Sequence, residues 1–144
     1  MQRQNIDSGN AFDWGKTSQD YGKFRDIYPP LFYQKIVERN CGTAGQEVLD
    51  IGTGTGVLPR NMYRFGAHWT GIDIAPNQIA EAKRLSAGME ISYLVSPAEE
   101  LDFAGKQFDC ITACQCYWYF DNQKAAPVFA RLLKPHGELL LLCM

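Results

Sequence analysis

The stretch of sequence that most constrains the fold is Glu47–Gly56, which reads EVLDIGTGTG. An apolar run meets an acid at Asp50, and glycines then occupy the alternate positions 52, 54 and 56. Ordered glycine costs more conformational entropy than any other residue, so such a cluster indicates a backbone that something approaches closely. The sequence therefore predicts a strand, a bare turn and a ligand near that turn.

Apolar strands and amphipathic helices alternate along the chain. The patterns predict strands over residues 47–51, 69–74, 91–95, 108–113 and 138–143. They predict helices over residues 21–28, after Pro29-Pro30 as far as a stop at Gly42, over 57–65, from Pro76 onward and over 123–133. Pro127 in the last helix implies either a late start or a kink. Strands separated by helices predict an α/β fold, a parallel sheet with helices on both faces. The apolar run Leu139–Leu142 fits a strand buried on both sides.

Composition excludes several classes of protein. The 144 residues are 46% hydrophobic and 21% charged, which fits one globular domain over 21–144 after a loose polar arm over 1–20. A net charge of -2 argues against a nucleic-acid partner, which favours a basic face. The first residues lack the apolar core of a signal peptide, and no run approaches the roughly 20 apolar residues of a membrane span. These features predict a cytoplasmic protein without membrane contact.

The cysteines and histidines do not form a metal-binding pattern. The five cysteines, an odd number without a CxxC spacing, lie at positions 41, 110, 114, 116 and 143. His68 and His136 stand apart from them, and a zinc site needs a closer set of ligands. The sequence therefore predicts no metal site, and buried reduced thiols for the cysteines.

The spacing of the glycine stretch separates two kinds of ligand site. A dinucleotide fingerprint needs Gly-x-Gly-x-x-Gly, and although Gly52 and Gly54 match it, Val57 takes the third position. A phosphate-binding P-loop needs a following Gly-Lys-Ser/Thr, which is missing. The chain instead reads Asp-x-Gly-x-Gly-x-Gly, with an acid two residues before the first glycine. Asp73 ends the next predicted strand about twenty residues later.

This order of motifs resembles the class I S-adenosylmethionine-dependent methyltransferases. Within that class, Asp50–Gly56 followed by Gly71-Ile-Asp73-Ile is similar to the small-molecule group that includes the ubiquinone and menaquinone biosynthesis enzymes. The resemblance covers roughly residues 21–144. It implies a Rossmann-like doubly wound sheet, S-adenosylmethionine as cofactor, and methyl transfer to a small molecule by in-line displacement. An NAD-dependent enzyme is a more distant alternative.

The resemblance also implies which residues contact the cofactor. Asp50 would orient the methionine end, Gly52 and Gly54 would let the backbone pass close to it, and the Asp73 carboxylate would accept both ribose hydroxyls. The alternative is that the two acids merely cap the helices that follow them. The full set of implied cofactor-binding residues is Tyr21, Arg25, Asp50, Gly52, Thr53, Gly54, Asp73, Ile74, Ala98, Glu99 and Gln115.

Several of these contacts have a second interpretation. Pro97 stands where the family usually has an acid that meets the adenine amine. Glu99 either replaces that acid or is solvated. The Ala98 N–H remains able to donate a hydrogen bond to a ring nitrogen of the adenine. Tyr21 and Arg25 either close over the cofactor, with the guanidinium on its carboxylate, or lie on an exposed helix face. Gln115 is the candidate beside the cofactor's ammonium.

The acceptor is less well defined by the sequence. The aromatic residues 117–119 face the sulfonium of the cofactor, wall an apolar acceptor pocket or belong to the core, and the sequence leaves these alternatives open. The motifs typical of nucleic-acid methyltransferases are missing after the fourth strand, and no catalytic base can be named. His136 interrupts a Lys-Pro-Gly-Gly turn of the family and is interpreted as a turn residue.

The chain ends on the fifth predicted strand, whereas the resemblance implies two further strands and a helix. The sequence thus suggests a truncated methyltransferase, and the alternative function is a catalytically inactive domain that binds cofactor and associates with itself. An apolar fifth strand at a sheet edge can pair with another chain, so we expect a homo-oligomer.

Overall fold

The structure of the protein is a computed structural model that describes residues 28–114 and 121–142. Its helices are α1 (Pro30–Glu38), α2 (Val57–Met62), α3 (Pro76–Leu85) and α4 (Asn122–Leu132). Its strands are β1 (Glu47–Ile51), β2 (His68–Asp73), β3 (Ser92–Val95), β4 (Phe108–Cys114) and β5 (Leu133–Leu142). Short 3₁₀ turns cover Tyr63–Phe65 and Ala98–Glu100. The predicted helix over 21–28 falls almost wholly outside the described residues.

The five strands form one parallel sheet in the order β3-β2-β1-β4-β5. The chain runs outward from β1 to β3 and then returns to place β4 on the other side of β1. The point where the strand order reverses therefore lies between β1 and β4, and ligands of open α/β sheets bind beyond the carboxyl ends of the strands at such a point. The predicted α/β fold and parallel sheet are confirmed.

Two hydrophobic clusters cover the two faces of the sheet, because successive strand residues point to opposite sides. On one face Leu49, Ile51 and Ile111 pack against Phe129 and Leu132 of α4. On the other face the buried residues come from α1, α2 and the strands: Tyr33, Ile36, Cys41, Val48, Leu58, Met62, Ala67, Trp69, Cys110 and Leu140. Strands β1 and β4, which carry the candidate site, are therefore covered by hydrophobic side chains on both faces of the sheet.

Helix α1 ends earlier than the sequence predicted. Its last helical residue is Glu38, and Asn40 takes the left-handed conformation with a φ of 60°. The Asn40 N–H donates to the Val37 carbonyl and the Cys41 N–H donates to the Ile36 carbonyl, the pair of bonds that closes a helix end. The prediction that Gly42 stops the helix was wrong, because asparagine also tolerates this backbone conformation.

Helix α4 and strand β5 also differ from expectation. Helix α4 begins at Asn122 with Asp121 as its cap, so Pro127 lies inside it and a late start is wrong. In β5, pairing with β4 breaks between Leu133 and Glu138, so residues 134–137, His136 among them, fall within an irregular register. The prediction that Leu139–Leu142 is buried on both sides was wrong, because Leu141 is 50% exposed at the edge of the described sheet.

The cysteines are the largest departure from expectation. Cys41 and Cys110, 69 residues apart in sequence, form a disulfide with their Cα atoms 6.1 Å apart. Both are buried between α1 and β4. The prediction of reduced thiols was therefore wrong for this pair, since no sequence spacing signalled that the fold brings them together. Among the described residues, no group of three His, Cys, Asp or Glu side chains could hold a metal ion.

Candidate functional site

The glycine loop after β1 has the backbone that its sequence requires. Gly52, Gly54 and Gly56 have φ values of 65°, 58° and 80°, in the left-handed region where residues with a Cβ are strained. The Thr53 N–H donates to the Ile72 carbonyl at 2.8 Å, and the Gly56 N–H donates to the Thr53 carbonyl at 2.9 Å. Alternating glycines therefore let the chain fold back over the end of β2 before α2 begins.

Asp73 ties the end of β2 to this loop. One carboxylate oxygen accepts the Gly54 N–H at 2.9 Å, and the other accepts the Ala75 N–H at 2.9 Å. Each oxygen retains a second lone pair, because a carboxylate offers about four acceptor sites. Burial raises the pKa of Asp73, while the N–H groups of Ala75, Gly54 and Ile74 oppose that rise. The acid is thus oriented by the backbone and still able to accept further hydrogen bonds.

Asp50 lies at the end of β1 and is only 2% exposed. Its carboxylate accepts a hydrogen bond from the Thr112 hydroxyl of β4 at 2.6 Å. Burial raises the pKa of Asp50 to about 7; Thr112 and Thr53 lower it, and the charge of Asp73 raises it further. The Thr53 hydroxyl affects this pKa from nearby without making a hydrogen bond of ordinary geometry.

Neither acid caps the helix that follows it. The N-cap of α2 is Gly56 and that of α3 is Ala75, and no side chain makes a capping hydrogen bond at either helix. The alternative interpretation of Asp50 and Asp73 as helix caps is therefore wrong. Both acids instead lie beside the glycine loop, on neighbouring strands at the edge where α/β sheets bind ligands.

Three predicted cofactor-binding residues, Ile74, Ala98 and Glu99, follow the ends of β2 and β3. Ile74 follows Asp73 directly and is 71% exposed, which leaves an apolar surface next to the acid. Ala98 opens the 3₁₀ turn after β3 and is packed into the core. Glu99 is partly exposed, and it accepts the Asp121 N–H at 3.0 Å, which links this turn to the start of α4.

The remaining predicted contacts, Tyr21, Arg25 and Gln115, lie outside the described residues, as do the aromatic residues 117–119. Sequence reasoning missed Thr112, which the parallel register places directly opposite Asp50. The available signal was a threonine between the apolar residues Ile111 and Ala113 of β4. A buried hydroxyl in a strand needs a hydrogen-bond partner, and an acid in the adjacent strand can supply it.

The arrangement fits the chemistry of S-adenosylmethionine. Its ammonium suits a buried carboxylate such as Asp50, its ribose diol suits the remaining lone pairs of Asp73, and its adenine suits the exposed Ile74. The Thr55 hydroxyl of the loop is buried without a hydrogen-bond partner in the part of the chain that the structure describes. The left-handed glycines leave a loop backbone that a ligand can approach closely.

Comparisons with known proteins show the family of this chain. A family described as a methyltransferase domain matches residues 49–141. The ubiquinone biosynthesis O-methyltransferase of Salmonella paratyphi A is 36% identical over 126 residues, which are 82% of this chain and 51% of that protein. The chain therefore spans about half the length of the curated relatives it matches.

Solved structures show the same fold. A putative S-adenosyl-L-methionine-dependent methyltransferase from Methanococcus maripaludis superposes with a TM-score of 0.82 at 17% identity, covering 94% of this chain and 67% of that one. A methyltransferase from Thiobacillus denitrificans, in complex with S-adenosyl-L-homocysteine, superposes with a TM-score of 0.69 at 20% identity. The match covers 88% of this chain and 53% of that one.

The fold and the acid-flanked glycine loop define the class I S-adenosylmethionine-dependent methyltransferases. This chain belongs to the methyltransferase domain family of that class, and S-adenosylmethionine is the family's cofactor. No helix among the described residues is long and apolar enough to cross a membrane.

Proposed function

We propose that this chain binds S-adenosylmethionine at the glycine loop and transfers its methyl group to a small molecule. The observation that supports this proposal most is the Asp73 carboxylate, which the Gly54 and Ala75 N–H groups hold beside the loop with acceptor capacity to spare. The cofactor supplies a methyl group already activated on a sulfonium. The protein's contribution is therefore alignment of donor and acceptor rather than chemical activation.

In this proposal each residue has a separate task. Asp73 accepts the ribose hydroxyls, Asp50 faces the ammonium end, and Ile74 packs against the adenine ring. Gly52, Thr53 and Gly54 form the bare surface beneath the methionine portion, because their turn keeps side chains away from the ligand. The remaining proposed contacts are Tyr21, Arg25, Ala98, Glu99 and Gln115.

The acceptor is proposed to be a small molecule, with a hydroxyl oxygen as the first atom to test. The support is the 36% identity to ubiquinone biosynthesis O-methyltransferases, together with a net charge of -2 that does not favour nucleic acid. No general base is assigned, and one is needed only if the acceptor arrives protonated.

Calorimetry with S-adenosylhomocysteine and with NAD tests the cofactor assignment. We expect binding of the first and none of the second, and an Asp73→Ala variant should bind at least tenfold more weakly because two hydrogen bonds to the ribose are lost. Asp102→Ala is the matched control, since Asp102 also accepts the N–H two residues further on but lies exposed, away from the loop. Equal affinity of Asp73→Ala and the wild type would overturn the ribose assignment.

Turnover separates the enzyme from the alternative, a domain that holds cofactor without catalysis. Transfer of labelled methyl from S-adenosylmethionine to small phenols would support the enzyme, and tight binding without transfer would support the alternative. A cytoplasmic location and self-association are further parts of the proposal. Disulfides are rare in the reducing cytoplasm, so the Cys41–Cys110 bond argues against the cytoplasmic part of this proposal.

A further inference from the structure

A buried hydrogen bond across the centre of the sheet joins Thr112 to Asp50. Thr112 is fully buried on β4, and the parallel register sets it opposite Asp50 on β1. Its hydroxyl oxygen lies 2.6 Å from one carboxylate oxygen of Asp50 and 3.5 Å from the Leu49 carbonyl. A hydroxyl carries a single proton, so Thr112 can donate to one of these oxygens at a time.

We infer that Thr112 is a positioning residue for cofactor binding: its hydroxyl orients the Asp50 carboxylate and keeps it ionised near neutral pH for the ammonium of the cofactor. The inference rests on the proposed function, because it assigns Asp50 to the ammonium end. In this inference Thr112 does not contact the cofactor and affects its binding only through Asp50.

The two protonation states of Asp50 differ in their need for Thr112. The ionised carboxylate accepts from the hydroxyl, whereas a protonated carboxyl can donate to it while the hydroxyl turns to the Leu49 carbonyl. In a site where burial raises the pKa of Asp50 to about 7, a lost donor disfavours the ionised form. A hydrogen bond to a charged group corresponds to about one pH unit of such a shift.

Other charged or titratable groups around Asp50 do not replace this donor. Asp73, at the end of β2, repels the ionised carboxylate. Tyr93 of β3 bonds to Ser86, and burial raises the pKa of Tyr93 to about 12, so it stays neutral around pH 7. Thr53, in the loop, is the second hydroxyl that favours ionised Asp50, without a bond of ordinary geometry.

The sign of the pH dependence follows from linkage. A ligand that binds the ionised form binds more weakly as the pH falls through the pKa of the free protein, up to tenfold per unit. The wild type should therefore bind S-adenosylhomocysteine roughly tenfold more tightly at pH 8 than at pH 6. Thr112→Val, which keeps the shape and removes the donor, should move the midpoint of this profile upward by about one pH unit.

The test measures the affinity for S-adenosylhomocysteine by calorimetry between pH 6 and pH 8.5. Thr112→Ser should restore the wild-type midpoint, since it retains the hydroxyl. Thr70→Val is the matched control, because Thr70 is also a buried threonine on the neighbouring strand β2, where it pairs with Leu49, one position before the residue that pairs with Asp50. Thr112→Ala serves if Thr112→Val does not fold.

A second measurement requires no ligand. The ¹³C carboxyl resonance of Asp50, identified by its loss in Asp50→Asn, should titrate about one pH unit higher in Thr112→Val than in the wild type. Identical titration midpoints, or a profile of Thr112→Val that overlays the wild type, would overturn the inference while leaving the proposed cofactor site intact. Wild-type protein that binds no S-adenosylhomocysteine at any pH would overturn the proposed function, and the assignment of Asp50 to the ammonium with it.

Discussion

Gly71 illustrates how a single residue determines whether the loop can form. It lies in β2 opposite Asp50, and a Cβ added there would lie 2.7 Å from the Thr53 hydroxyl oxygen and 2.9 Å from two of that residue's carbon atoms. These distances are shorter than van der Waals contact. The loop therefore packs on β2 only because position 71 has no side chain.

We expect Gly71→Ala to lower the free energy of unfolding by about 1–3 kcal/mol, because it overpacks a buried contact. Urea unfolding followed by circular dichroism measures this change. In Gly71→Ala/Thr53→Ala the removed hydroxyl and methyl groups make room, so the double variant should lose less than the sum of the two single variants. Additive losses would contradict the clash.

The raised pKa of Asp50 predicts that the stability of the folded chain falls as the pH rises toward neutral. Asp50 has a raised pKa in the folded chain, so its stabilising contribution is complete at low pH and is lost as the pH rises through about 7. Without ligand, the wild type should lose roughly 2 kcal/mol of unfolding free energy between pH 5.5 and pH 7 that Asp50→Asn does not lose.

Asp109→Asn is the control for that experiment. Burial would raise the pKa of Asp109, but the Glu47 N–H and the Lys134 ammonium outweigh it and hold the pKa below its usual range. Its contribution is therefore present above pH 4 and is lost only in acid, so removing it should not alter the slope between pH 5.5 and pH 7. A flat wild-type profile over this range would contradict the role given to Asp50.

At the scale of elements, the disulfide connects the loop after α1 to the middle of the sheet. Cys41 and Cys110 enclose a segment that contains β1, β2 and β3, with 69 residues of sequence separation. Cross-linking so long a loop removes much of the entropy of the unfolded chain. The disulfide thereby holds α1 against the face of the sheet on which Val48 and Trp69 are packed.

Reduction should lower the free energy of unfolding by about 4 kcal/mol in the chain-entropy account of disulfides. Urea unfolding with and without a phosphine reductant measures the change, and peptide mapping without reductant should recover the two cysteine peptides as one linked species. The Cys41→Ala/Cys110→Ala variant should be insensitive to reductant. Equal stability of the wild type under both conditions would restore the prediction of reduced thiols.

At the scale of the whole molecule, both edges of the described sheet carry exposed apolar side chains. Leu141 lies on β5 at one edge, and Leu94 and Val95 lie on β3 at the other. An edge strand has backbone N–H and C=O groups without a partner in its own sheet, and a strand of another chain can form hydrogen bonds with them. The homo-oligomer stays a prediction, and these two edges are the surfaces through which it would form.

We expect light scattering at tens of micromolar to give a mass above that of one chain, and Leu141→Lys to lower it, because a charge on an edge strand opposes pairing. Leu31→Lys is the control, since Leu31 is also exposed but lies on α1, away from the strand edges. A monodisperse monomer of the wild type would contradict self-association through β5.

Local sequence determined the order of strands and helices and the position of the acid-flanked glycine loop. Periodicity indicates which residues alternate between faces, and a left-handed turn favours glycine, so β1, β2 and the loop between them could be predicted from the sequence. Asp50 and Asp73 were identifiable because their spacing from the glycines is fixed along the chain.

Tertiary structure alone decided which distant groups meet. The register of β1 and β4 sets Thr112 against Asp50, the packing of α1 brings Cys41 to Cys110, and the start of α4 gives Glu99 a partner at Asp121. A local pattern does not identify the partner in any of these contacts, because each depends on how strands pair and layers stack over 22 to 69 residues of separation. The burial that raises the pKa of Asp50 has the same origin, since the layers on both faces of the sheet exclude water from it.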